Sequence, residues 1–175
     1  MKTRSLLLFS ALLLILAQPA FAKSPKIGEI NMQKAINNSE EGAKSRAYFE
    51  KKAAGGQEKF KKQGMAIQQR VQALQDNLML SEAARNKEIQ EIEKQKEELR
   101  QAVNQAQQEF KEDEMRHLQR ISQDLMLLVK KIGEKRSFDM VVETSVRQAM
   151  LYTSFEIEDI TDEVVAEYNK MKAGK

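Results

Sequence analysis

Residues 74–85 read Leu74-Gln75-Asp76-Asn77-Leu78-Met79-Leu80-Ser81-Glu82-Ala83-Ala84-Arg85. An apolar stripe at helical spacing runs into this stretch and breaks in it; a second stripe starts beyond it. Ser81 is a favoured N-cap, and Glu82 at the first helical position suits the positive end of a helix dipole. Upstream, apolar or small residues recur at Phe49, Ala53, Gly56, Phe60, Gly64, Ile67, Val71, Leu74 and Leu78, in steps of three and four. Downstream they recur at Ile89, Ile92, Leu99, Val103, Ala106 and Phe110, then at Leu118, Ile121, Leu125, Leu128 and Ile132. Both stripes follow the 3.6-residue period and are narrow, a seam rather than a broad core face. The spacing predicts an antiparallel helical hairpin turning at Met79–Ser81. The other reading is one continuous coiled coil with a stutter near Ser81. At 1.5 Å per residue, an arm from Lys44 to Leu80 is about 55 Å long. Gly133 is the expected C-cap of the second helix. Gly55, Gly56 and Gly64 are weak points of the first, each costing up to about 1 kcal/mol relative to Ala.

Outside the hairpin the pattern changes. Lys26–Asn31 and Phe138–Glu143 read as short strands, and Val141 and Val142 favour β structure. Ala149-Met150-Leu151-Tyr152 reads as a third. Thr161, followed by Asp162 and Glu163, is the expected N-cap of a last helix with Val164, Val165 and Tyr168 on its apolar face. The two ends of the chain thus meet in a small β body, with the hairpin inserted between them. After Pro25 there is no proline, which permits very long helices. The fold class expected is α+β, predominantly α.

The N-terminus is read separately. Lys2 and Arg4 precede an apolar run from Leu6 to Ala17, and Ala20-Phe21-Ala22 fits a signal peptidase site. The run is short for a membrane span. We read residues 1–22 as a secretory signal cleaved near Ala22, with an uncleaved anchor as the other reading. The exported chain is then periplasmic. Its net charge falls from +3 to about +1 and its hydrophobic share from 41% to about 37%, lean for a compact globule.

Composition excludes much chemistry. There is no Cys and one His, so disulfides, thiolate metal sites, a Cys nucleophile and a lipidated Cys are all excluded. His117 has no Ser or Asp spaced to identify a catalytic partner and reads as a surface or seam residue. Glu112-Asp113-Glu114 reads as a solvated acidic turn, because successive helical residues point in different directions. Gly55-Gly56 lacks the GKS/T continuation of a phosphate loop. No enzyme site, metal site or cofactor is expected.

Charge is partitioned along the chain. Residues 44–80 carry 8 basic and 3 acidic side chains, and residues 138–168 carry 1 and 8. A basic arm face is expected from Lys51, Lys52, Lys59, Lys61 and Lys62. It suits an anionic lipid or lipopolysaccharide better than nucleic acid, since few aromatics are interleaved for stacking; opposite-sign packing between the two arms is the simpler account. Met65, Met79, Leu80, Met115 and Met126 are candidate contacts for an adaptable, low-specificity surface, with ordinary seam packing the alternative for the methionines. The body is too small to stand alone and its sheet has exposed edges, so an oligomer is expected.

The ordered combination of Ile30-Asn31-Met32-Gln33-Lys34, the turn at Leu80-Ser81-Glu82, Phe138–Glu143, Leu151-Tyr152 and Asp159-Ile160-Thr161-Asp162-Glu163-Val164 resembles the Skp/OmpH family of periplasmic chaperones. The resemblance covers essentially the whole chain after the signal. It implies a homotrimer with a β-barrel body and three helical-hairpin tentacles, which hold unfolded outer-membrane β-barrel proteins without ATP. It places Ile27, Ile30, Val141, Val142, Met150 and Tyr152 in the trimer body. It divides the chain into a body (23–43 and 134–175) and a tentacle (44–133). The chain departs from the best-known members in being nearly neutral after export, and basic residues of the family's lipopolysaccharide site find no residue-by-residue match. Rival readings are a structural coiled-coil spacer of the envelope and an anionic-lipid-binding protein without chaperone activity.

Overall fold

The computed structural model describes residues 24–174, so the signal reading of residues 1–22 lies outside them. The elements are β1 (Ile27–Ile30), α1 (Met32–Asn38), α2 (Glu40–Asp76), α3 (Glu82–Arg136), β2 (Met140–Glu143), α4 (Thr144–Gln148), β3 (Ile157–Asp159) and α5 (Thr161–Ala173). α2 and α3 form a hairpin joined at Asn77–Ser81. At 1.5 Å per residue, α2 is about 55 Å long and α3 about 80 Å. Ser81 caps α3, its hydroxyl accepting the Ala84 N–H at 3.3 Å.

The sheet has the order β2-β1-β3, with β1 parallel to both neighbours. Parallel strands need a long crossover, and the whole α1-α2-α3 hairpin is the crossover between β1 and β2. This is how one arm is inserted in the body without interrupting it. The core is built from Ile30, Ala35, Ile121, Leu125, Ile132, Ile160, Val164 and Tyr168. Three of these belong to the last turns of α3, so the base of the arm is itself core.

The junction of α1 and α2 is a tight elbow. Ser39 ends α1 and caps α2; its hydroxyl donates to the Ile36 carbonyl at 2.8 Å and accepts the Gly42 N–H at 3.0 Å. A Cβ on Gly42 would lie 1.9 Å from the Ile36 carbonyl oxygen, so only glycine fits.

Several expectations are corrected. The third strand is Ile157–Asp159, not Ala149–Tyr152. Asp159 sits in the register because its neighbour's N–H, Ile160, donates to the Glu29 carbonyl at 2.9 Å. Ala149 instead closes the short helix α4, and Leu151 and Tyr152 project into solvent. α3 continues past Gly133 to Arg136, and the αL cap falls on Ser137 at φ 54°. The Ser137 and Phe138 N–H groups donate back to the Glu134 and Gly133 carbonyls, the Schellman pattern. Thr161 is not a cap: its hydroxyl is buried and accepts the Asn31 N–H at 3.0 Å, while the Asp159 carboxylate takes the Thr161 N–H at 2.8 Å. That hydrogen bond, with the Thr161 hydroxyl first, holds the Asp159 carboxyl below its ordinary range.

Candidate functional site

The hairpin seam is closed at two points. Near the body, the Phe49 ring meets Phe110 at 5.4 Å and His117 at 5.1 Å, both edge-on. His117 also stacks on Tyr48 at 5.8 Å, which makes it the seam histidine expected. Beside them the Lys52 ammonium contacts Asp113 at 2.6 Å. This hydrogen bond is the main reason that the Asp113 carboxyl is lowered and the Lys52 ammonium raised from their ordinary values. Near the tip, Arg70 pairs with Glu88 at 2.6 Å, and Leu74 and Ile92 are buried. Both ion pairs join a basic α2 residue to an acidic α3 residue, the opposite-sign packing that charge partition allows.

The candidate contact residues fall outside this seam. Met65, Met79, Met115 and Met126 are exposed, and Leu80 is half-buried. Met115 and Met126 are eleven residues apart, about three turns, and so share one side of α3. The turn at the tip is closed by hydrogen bonds. The Asn77 side chain accepts the Met79 N–H at 3.1 Å, and Arg85 donates to the Asn77 carbonyl at 2.8 Å. The turn presents Leu78 and Met79 at 85% and 94% exposure. Leu78 was expected in the seam by its four-residue step from Leu74; it belongs to the turn instead, since α2 ends at Asp76. Ile89 and Leu118, also read as stripe residues, are exposed too. Sequence reasoning missed Tyr48 and Leu127, exposed apolar residues beside the stripe positions Phe49 and Leu128; no periodicity marks them, because an exposed apolar residue leaves no repeat.

The basic residues do not form one face. By the helical period, Lys51, Lys59 and Lys62 share a side of α2, and Lys61 stands about 100° round from Lys62. Lys52 is turned to Asp113, Lys62 pairs with Glu58 at 3.4 Å, and the Lys59 ammonium lies 5.6 Å from the Phe60 ring centroid.

In the body, Ile27 and Ile30 are buried within the chain's own fold, and Val141 and Val142 are half-buried in the sheet. Met150 and Tyr152 are exposed, together with Met140, Val146 and Leu151. The buried Glu29 carboxylate is partnered by Arg147 of α4. Among the described residues no three metal-ligating side chains converge. The surface offers contact through flexible apolar side chains on a charged scaffold.

The family model described as "Outer membrane protein (OmpH-like)" matches residues 26–168. No curated protein matches the chain. Among solved structures, the crystal structure of an OmpH-like candidate outer membrane chaperone from Caulobacter crescentus is similar. It shares 17% sequence identity, the match covers 84% of this chain and 85% of that one, and the TM-score is 0.75. At that identity the likeness is one of fold.

Proposed function

Because the chain belongs to the OmpH-like outer membrane protein family, we propose that it is an ATP-independent holdase chaperone of the periplasm, which encloses unfolded outer-membrane proteins between helical arms and keeps them from aggregating. The observation that carries this is a set of exposed apolar side chains spread over a charged arm: Met65 on α2, Leu78 and Met79 at the tip, and Met115 and Met126 on α3. Unfolded membrane β-barrels present alternating apolar residues and unpaired strand edges. Unbranched, polarizable methionine side chains adapt to many such segments without selecting one sequence. Release needs no nucleotide if the client folds irreversibly into the membrane.

The arm is 44–133 in this reading and the body 23–43 with 134–175, the last turns of α3 anchoring one to the other. The working unit is a homotrimer. Its support is the group of exposed apolar side chains on β2, α4 and the segment after it (Met140, Val146, Met150, Leu151 and Tyr152), beside a three-stranded sheet whose outer strands are β2 and β3. Met150 and Tyr152 make the contact, and Ile27, Ile30, Val141 and Val142 form the sheet that carries it.

The test is dilution of a urea-denatured outer-membrane β-barrel into buffer with the purified protein and no ATP. A soluble complex of three chains with client, and suppressed light scattering, is expected. Unchanged aggregation at saturating protein refutes the chaperone reading and leaves an envelope spacer of the same fold.

A further inference from the structure

The apolar side chains of this protein are sorted by chemistry. The buried core cluster is built from aliphatic residues and Tyr168, and no methionine is among the buried residues. Met32 and Met171 are half-buried and pack at the edge of that core. The other six described methionines are exposed, from Met150 at 40% to Met79 at 94%. Four of them stand on the arm: Met65 on α2, Met79 at the tip, and Met115 and Met126 on α3. The chain has no Cys and no Trp, so methionine is its most readily oxidised side chain, and the thioethers lie mainly on the outside. Oxidation converts a flexible apolar side chain into a polar sulfoxide, and the change is enzymatically reversible. An oxidant that meets this protein therefore meets the arm surface before the core.

We infer that Met65, Met79, Met115 and Met126 form a reversible redox switch, whose oxidation weakens the arm's hold on unfolded client while the fold stays intact. The oxidant class is a peroxide, hydrogen peroxide being the simplest. A sulfur lone pair attacks one peroxide oxygen. The S–O bond forms as the O–O bond breaks, the sulfur loses two electrons, and the peroxide is reduced to water. A methionine sulfoxide reductase reverses the step with two electrons from a dithiol, which becomes a disulfide as the oxygen leaves in water. The fold is spared because the core cluster holds no thioether and the seam is closed by ring contacts and ion pairs that use no methionine. Exposed Leu78, Leu118 and Leu127 keep their apolar character, so the surface is weakened rather than erased. The switch rests on the chaperone function proposed above, whose regulation it is.

The test treats the purified protein with hydrogen peroxide, maps sulfoxides by peptide mass spectrometry, and repeats the dilution of a urea-denatured outer-membrane β-barrel without ATP. Sulfoxide should form at Met79 and Met115 about threefold faster or more than at Met32 and Met171, since access to the sulfur governs its oxidation. Once the four arm sites are oxidised, about tenfold more protein should be needed to suppress light scattering, because apolar contact is lost at each site. Helical circular dichroism should be unchanged, and the two epimer-specific sulfoxide reductases should restore holding. Met65→Gln/Met79→Gln/Met115→Gln/Met126→Gln, which places a polar side chain of similar length at each site, should hold client as weakly as the oxidised protein with no peroxide added. Undiminished holding after complete arm oxidation overturns the inference. So does holding by the glutamine variant equal to that of the unaltered chain, loss of helix on peroxide treatment, or failure of the reductases to restore holding. Failure of the untreated protein to hold client refutes the chaperone reading, and the switch with it.

Discussion

Leu125, Met126 and Leu127 are three consecutive apolar residues of α3, and the structure gives them opposite fates. Leu125 is 0% exposed in the body core; Met126 and Leu127 are 54% and 63% exposed. Leu125→Ala removes a fully buried side chain from contact with a core that includes Ile121, Ile132, Val164 and Tyr168. The cost is about 3–5 kcal/mol, because the transfer term and the cavity term add where the site cannot collapse. At about 2–4 °C per kcal/mol for a chain of this size, the melting temperature falls on the order of 10 °C. Met126→Ala removes a side chain already in water and changes stability by no more than about 0.5 kcal/mol. It weakens suppression of client aggregation if Met126 contacts client. The assay is urea unfolding followed by helical circular dichroism, at one fixed protein concentration because an oligomer's stability depends on it, alongside light scattering of a diluted client. Equal destabilisation by the two substitutions, or a cost below about 1 kcal/mol for Leu125→Ala, refutes the burial argument.

One substitution that removes a glycine and one that introduces one give effects of opposite sign. Gly42→Ala forces a Cβ toward a backbone oxygen 1.9 Å away, so the Ser39 elbow must open; thermal unfolding should show a loss of about 3 kcal/mol or more, at the upper end of overpacking costs. Ser137→Gly relieves a left-handed conformation at φ 54° and should stabilise by about 1 kcal/mol by the same measurement, with no change expected in client binding. The Glu143 carboxylate interacts first with Ser145, through its hydroxyl and backbone N–H, and then accepts the Met32 N–H, and these hold it below the ordinary glutamate range. A folded value below the unfolded one adds stability that is present above the unfolded value and lost as pH falls through the folded one. Urea midpoints measured from pH 6 down to pH 3 should therefore fall less steeply in Glu143→Gln than in the unaltered chain; parallel curves would show that these contacts do not differ between the folded and unfolded states.

The hairpin was legible because its signal is local. Stripes with steps of three and four, the break at residues 77–81 and the Ser81 cap all follow from helical geometry and terminal hydrogen bonding, which neighbouring residues determine. β1 and β2 were legible for a similar reason: short β-branched or apolar runs bounded by breaks. β3 was not. Ile157–Asp159 is acidic and of low β propensity, and it becomes a strand because β1 offers a free edge and Asp159 terminates it by turning the chain into α5. Met150-Leu151-Tyr152 looked the better strand on propensity alone, but α4 ends there and turns it outward.

The candidate site divides along the same line. Composition excluded cysteine chemistry, and the methionines could be named from their type. Whether an apolar residue serves the seam, the core or the surface is a matter of what faces it across the hairpin. Leu74 and Leu78 differ by one step of the same period, yet one is buried and the other stands at the tip. Lys52 and Lys51 are neighbours of one charge, and only Lys52 finds Asp113, 61 residues away. Local sequence therefore determined the existence, length and polarity of the arms. The partners across the seam and the parallel sheet were decided only by the tertiary structure, because burial and pairing depend on residues that are distant in the chain.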